Sequence, residues 1–250
     1  PMISRRLPRL LREIGARGYR RAVVNTNGTF ISDESVSAMR SAGITHVNFS
    51  RHHYDALRNQ EVMRLRPQLT NQAIAAGIAK VINAGMSVRM QCNLINGQVD
   101  SVEEMIKYIS WCIGMGCNEI SFSQVFPLAL FDYQVPIEES YAERVQIDLR
   151  KLVSDIDSCG EFSPVPEDKI RGEGMSDWGN GHRVSHLIGG KRRFWMGPQE
   201  AYVSLKTLSG YDTNGIPNIT AYLKDRDWEL RDGILAFAVV HADGQVTASW

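Results

Sequence analysis

Leu7, Leu10, Leu11 and Ile14 recur at the spacing that gives a helix one apolar face, which predicts a helix over residues 4 to 14. Gly15 and Gly18 end it. The β-branched run in "RAVVNTN" then changes the period to that of a strand, and Ser32 is placed to cap a second helix with Val36 and Met39 facing inward. A strand follows over 44 to 52 ("ITHVNFSRH"), then a helix over 71 to 85 with Ile74, Ile78 and Val81 on one side, then the strand 87 to 95 ("SVRMQCNLI"). Ser101 and Glu104 form an S-x-x-E capping box for a helix over about 102 to 114, and "EISFSQVF" reads as a strand over 119 to 126. Helix and strand alternate, with Gly18, Gly43, Gly85 and Gly116 in the short turns. This is the βαβ rhythm of a parallel sheet.

Alternation inside the strands refines the expectation. Val88, Met90, Cys92 and Leu94 share one face of 87 to 95, with Arg89, Gln91 and Asn93 on the other. In 44 to 52 Val47 and Phe49 oppose His46, Asn48, Ser50 and His52. A parallel strand covered by helices on both sides should be apolar on both. A polar face shared by several strands instead predicts a barrel lumen that holds a polar ligand.

After Pro127 the rhythm changes. A long helix is expected from Glu138 to about Ser158, begun by Pro136 and stopped by Gly160. Residues 160 to 200 show no usable period, and the tail offers the strand "AYVSLKTL" and a hairpin turning at Asp243-Gly244. The chain therefore divides into a β/α portion, 1 to 130, and a C-terminal α+β extension, 131 to 250, that ends in a hairpin and packs on the barrel.

Composition narrows the function classes. With 28 basic and 28 acidic residues in 250, the net charge is zero, which argues against general binding to nucleic acid or a membrane surface. The run Lys191-Arg192-Arg193 is read either as a solvated loop or as a local phosphate contact. No stretch approaches the ~20 apolar residues of a membrane span, so a soluble cytoplasmic protein is expected. Cys92, Cys112, Cys117 and Cys159 match neither a zinc ribbon nor a CxxC pair. Cys112 and Cys117 are expected to be buried small hydrophobes, and no residue is assigned as a metal ligand.

Four motifs in order carry a family likeness. "TNG" at one strand end, "VNFS" at the next, "LINGQVDSVEE" after the third and "EISFSQVFPL" on the fourth resemble the radical S-adenosylmethionine (radical SAM) enzymes. The likeness is nearest to the branch with the molybdenum-cofactor cyclase and the peptide-modifying maturases, and it covers residues 1 to about 130. It implies an α/β fold built on a partial (β/α)6 TIM-like barrel. It also implies a 4Fe-4S cluster on a CxxxCxxC loop that reductively cleaves S-adenosylmethionine to a 5'-deoxyadenosyl radical, which then abstracts a substrate hydrogen atom. No cysteine here has that spacing. The resemblance sets Pro1 just after the family's Gly-Gly-Glu, so the cluster loop and first strands are expected before residue 1. The alternative is a cluster-free barrel that binds a nucleotide-like ligand or a protein partner without turnover.

The same resemblance implies the ligand contacts. Asn25, Thr26 and Asn27 would meet the methionine part of S-adenosylmethionine, as strand ends at a barrel mouth carry the ligand groups. Ser50 and Arg89 would hold its carboxylate, Gln91 the ribose, Ile95 the adenine, and Gln124, with Ser123, the adenosine or the substrate, while Asn93 is a further cofactor contact. An Arg89-carboxylate ion pair is the competing reading for that residue, and a strand-end Asx turn the competing one for Asn25 to Asn27. His52 and His53 point to opposite sides and are read as solvated or core histidines. No catalytic residue is assigned. The implied partners are a small-molecule or peptide substrate and a reductant protein such as flavodoxin or ferredoxin. The segment 172 to 200, with Trp178, His182, Arg183 and Trp195, is either a substrate cover or a packing loop.

Overall fold

The computed structural model describes residues 7–17, 22–125, 141–164, 193–196, 201–206, 239–240 and 246–247. It divides into two compact units, Pro1–Val165 with Arg192–Lys206, and Pro166–Lys191 with Thr207–Trp250.

The first unit begins with α1 (Leu7–Arg17) and then alternates as the sequence predicts, through β1 (Val23–Thr26), α2 (Asp33–Ser41) and β2 (His46–Ser50). A short helix absent from the sequence reading, α3 (Ala56–Met63), precedes α4 (Asn71–Asn83). β3 (Ser87–Leu94), α5 (Val102–Gly114) and β4 (Glu119–Gln124) complete the repeat. The apolar period over Ala56 to Met63 is too short to stand out. What starts α3 is Asp55, whose carboxylate accepts from the backbone N–H groups of Leu57 and Arg58.

Ser32 and Ser101 cap α2 and α5 as expected. The two caps differ in their reciprocal half. Ser35 returns the bond to the Ser32 backbone, closing a full box. The S-x-x-E pattern predicts the same of Glu104 for Ser101, but the Glu104 carboxylate accepts instead from Tyr54 Oη at 3.0 Å and Lys107 Nζ at 2.9 Å.

The helix expected from Glu138 to Ser158 is two helices where it is described, α6 (Tyr141–Arg144) and α7 (Leu149–Ser158). The Val145 carbonyl, which a continuous helix would give to residue 149, accepts instead from the Asn96 N–H at 3.0 Å. Asp148 then restarts the helix as N-cap for Lys151.

The sheet has seven strands in the order β1-β2-β3-β4-β7-β6-β5, with β5 Phe162–Pro164, β6 Arg193–Met196 and β7 Tyr202–Lys206. β1 to β4 and β7 are parallel, and β6 and β5 are added antiparallel. β1 and β5 are its edges among the described residues. The chain is thus α/β with a parallel sheet and crossover helices. In the second unit β8 (Val239–Val240) pairs antiparallel with β9 (Val246–Thr247). Asp243, Gly244 and residues 126–140, 165–192 and 197–200 lie outside the described residues, and with them Pro136, Glu138, Trp178, His182, Arg183 and Lys191-Arg192.

One face of the sheet is the core. Val47, Phe49, Met90, Cys92, Leu94, Ile120 and Phe122 are fully buried, together with Ile74, Ile78 and Val81 of α4 and Met105, Tyr108, Ile109 and Cys112 of α5. Each large side chain so buried contributes about 1.5 to 3 kcal/mol. That packing fixes which residues face the other way. A one-residue slip would move every apolar side chain of a strand to the wrong side.

Candidate functional site

The face away from the core is polar from strand to strand. The register sets Asn25, Asn48, Arg89 and Glu119 in one row across β1 to β4. Two residues further along each strand comes a row of Ser50, Gln91 and Ser121, and beyond it a row with Asn93 and Ser123. Ser204 and Lys206 hold register positions beside Ser121 and Ser123.

The first row is bonded to itself. Asn48 Nδ2 donates to Asn25 Oδ1 at 2.7 Å, and Arg89 Nε donates to Glu119 Oε1 at 2.8 Å while its guanidinium closes an ion pair with the same carboxylate. Arg89 is only 4% exposed, so a carboxylate beside it answers the cost of burying a cation. This row lies toward the N-terminal ends of β3 and β4. It forms the floor of the polar face, and Arg89 sits there with Glu119, not with the strand-end group.

The upper rows hold more unspent capacity. Ser121 is completely buried, and its Oγ has no hydrogen-bond partner among the described residues. A buried hydroxyl left unpaired costs about 1 to 3 kcal/mol, so such a group marks a place where a ligand or water belongs. Ser50, Gln91, Asn93 and Ser123 around it are half-buried.

Two expected contacts lie elsewhere. Thr26 and Gln124 have the parity of the core face, Thr26 beside Phe49 and Gln124 two residues after Phe122. Thr26 Oγ1 accepts from the Gly28 N–H at 3.1 Å, and Asn27 Oδ1 from the Thr29 N–H at 3.0 Å. The amide-rich end of β1 therefore builds its own turn. Gln124 Nε2 donates to Gln146 Oε1 at 3.3 Å, whose amide donates in turn to the Val125 carbonyl. Ile95 is 3% exposed at the start of the loop after β3, and its carbonyl accepts from the Gln98 N–H. Arg58 of α3 clamps that loop by donating to the Gly97 carbonyl.

Three residues at the end of β2 escaped the sequence reading as functional groups. Arg51 is fully buried on the core side, where it donates to the carbonyls of His53 and Leu69 at 3.3 Å and to Asn71 Oδ1 at 2.5 Å, with Trp111 5.4 Å from its charge. Desolvation pulls its pKa down, yet these bonds pin the start of α4 to the strand end. His52 Nδ1 accepts the Asn93 N–H at 3.0 Å, and the His52 N–H donates to Asn59 Oδ1 at 2.8 Å. Burial pushes its pKa down to about 4. His53 is buried on the other side; its Nδ1 accepts from the Asp55 N–H, and its Nε2 lies 3.7 Å from Glu104 without a hydrogen bond. Desolvation lowers its pKa too. The only sequence signal for this arrangement was the opposed parity of the two histidines.

A 4Fe-4S cluster does not fit the described residues. Cys92, Cys112 and Cys117 are buried in the core at 0%, 0% and 1% exposure, and burial raises all three thiols, Cys117 to about 12. Such groups are not the thiolates that iron needs. No three His, Cys, Asp or Glu side chains among the described residues are grouped to hold a metal ion. No described helix is long and apolar enough to cross a membrane.

No family model matches the sequence. A protein of Saccharolobus islandicus described as a probable GTP 3',8-cyclase is 25% identical over 130 residues, which is 52% of this chain and 40% of that relative. The chain therefore spans less than half the length of the curated relative it matches. Among solved structures, SuiB of Streptococcus suis bound to S-adenosylmethionine is similar with a TM-score of 0.46 at 17% identity, over 63% of this chain and 34% of that one. The radical S-adenosylmethionine methyltransferase TsrM of Kitasatospora setae, with cobalamin and a [4Fe-4S] cluster, is similar with a TM-score of 0.36 at 16% identity, over 47% of this chain and 23% of that one. The likeness to the cyclase supports membership of the radical SAM superfamily, to which the motifs of residues 1 to 130 also point.

Proposed function

We propose that this chain is the S-adenosylmethionine-binding core of a radical SAM enzyme. Ser50, Gln91, Asn93 and Ser121 form its ligand surface, on a floor of Asn25, Asn48, Arg89 and Glu119. The observation that carries this reading is the unpaired, fully buried Ser121 hydroxyl among polar neighbours on a face that the core packing does not use. A polar face at the carboxyl ends of parallel strands is where such sheets take ligands. S-adenosylmethionine offers what these groups can bind, a carboxylate, an ammonium and ribose hydroxyls.

When bound, this cosubstrate supplies a radical on one-electron reduction. The chain's described residues supply position and a low-dielectric surround. They do not supply the cluster ligands, which are assigned to none of them. The substrate, a small molecule or a peptide, meets the same face.

The test is to express the full-length encoded protein, reconstitute it anaerobically with iron and sulfide, and measure iron per chain, S-adenosylmethionine binding and 5'-deoxyadenosine after reduction. About four irons per chain, with binding and cleavage, is the expected result. Binding without iron or cleavage favours a ligand-binding barrel without turnover. No binding at all removes both.

A further inference from the structure

The hydrogen bonds between β2 and β3 stop in an unusual way. In a parallel pair, a residue whose N–H bonds one partner carbonyl gives its own carbonyl to the N–H two residues on. Arg51 N–H donates to the Gln91 carbonyl at 2.9 Å, so the Arg51 carbonyl is due to accept from Asn93. It accepts from Tyr108 Oη of α5 instead, at 2.7 Å. The Asn93 N–H, left without its ladder partner, is taken by His52 Nδ1.

This substitution fixes the imidazole. A nitrogen that accepts a backbone N–H cannot carry a proton, so the ring is neutral with its hydrogen on Nε2. The ring is held from both ends of the residue, by Asn93 through Nδ1 and by the buried Asn59 through the His52 backbone. Nε2 is not among the buried unpaired atoms of the described residues, and no partner for it is seen among them. His52 lies two residues past the end of β2, and its bond to the Asn93 N–H sets the ring beside Asn93 where the β2–β3 ladder ends, next to the row of Ser50 and Gln91.

We propose that His52 is a specificity-determining residue of this site, a neutral donor locked in the Nε2–H form that reaches an oxygen acceptor of the bound ligand and discriminates against a donor at that position. The ladder substitution is what makes the choice of tautomer independent of the ligand. An unanchored histidine would rotate or change tautomer to suit either kind of group. The proposal rests on the ligand-surface reading above and names one contact within it.

The test separates the two. Long-range ¹H–¹⁵N correlation on the full-length protein at neutral pH, with His52→Gln to assign the signal, should show Nδ1 bare and Nε2 protonated. A protonated Nδ1, or a mixture of tautomers, overturns the proposal whether or not any ligand binds. Equilibrium dialysis with S-adenosylmethionine then compares His52→Gln and His52→Glu, which keep the same shape and an acceptor for Asn93. Only the glutamine retains a donor. The expected result is binding by the glutamine variant within about threefold of wild type, and a loss of about tenfold or more for the glutamate variant. Equal binding by all three proteins, or equal losses in both variants with unchanged thermal unfolding, overturns the proposal and leaves the ligand surface standing. Failure of the wild type itself to bind overturns the ligand-surface reading and this contact with it.

Discussion

Replacing Glu119 by Gln tests the floor of the polar face. Arg89 is 4% exposed and the Glu119 side chain 19%, so the two ends of the pair are unequal. Breaking a buried ion pair by removing one partner costs about 3 to 5 kcal/mol when the remaining charge is fully enclosed. Glu119→Gln leaves the enclosed guanidinium without its carboxylate, so a loss of about 3 kcal/mol is expected. Arg89→Met leaves a carboxylate that water reaches, and the loss should be smaller, about 2 kcal/mol. The double replacement Arg89→Met with Glu119→Leu removes both charges and should cost less than the sum, with a coupling energy of about 2 kcal/mol. Equilibrium urea unfolding of the four proteins, compared at unchanged slope, reads each value. Additive losses would refute the pairing. A larger loss for Arg89→Met than for Glu119→Gln would refute the burial argument that ranks them.

Three further outcomes follow from the packing. Gly28 has φ of +83°, and a Cβ there would lie 2.6 Å from Ile74 Cδ1 and 3.1 Å from Phe49 Cδ1. Gly28→Ala should therefore destabilise by about 2 to 4 kcal/mol in thermal or urea unfolding, from left-handed strain plus overpacking; a change under about 0.5 kcal/mol contradicts the described turn. His52 is held neutral with a pKa lowered from 6.5 to about 4. The unfolded chain thus binds the extra proton first as pH falls, and this contribution, at most about 3 kcal/mol, is complete above pH 6.5 and is lost between there and about pH 4. The wild type should lose more stability over that window than His52→Gln, and parallel pH curves would contradict it. Ser121→Ala removes an unpaired buried hydroxyl, so unfolding stability should hold or rise by up to about 1 kcal/mol while S-adenosylmethionine affinity falls; a loss above about 1 kcal/mol in stability would show that the hydroxyl is bonded in the protein.

Much of the first unit was legible in the chain itself. Period alone located α1, α2, α4, α5 and β1 to β4 to within a few residues, and alternation in 87 to 95 separated Arg89, Gln91 and Asn93 from Val88, Met90 and Cys92 as the fold does. These are local properties, because a strand's two faces and a helix's stripe are set by neighbours within a turn or two. Tertiary structure decided what those groups meet. Arg89 finds Glu119, 30 residues away; Glu104 leaves its own cap for Tyr54, 50 residues away; and the Val145 carbonyl leaves its helix for Asn96. His52 supplies the bond that Arg51 gives up to Tyr108, 57 residues further on. In each case a polar group with more than one acceptable partner was assigned by which chain segments the buried apolar face had already brought together. The sequence fixes how many partners such a group needs, and only the packed fold determines which ones it obtains.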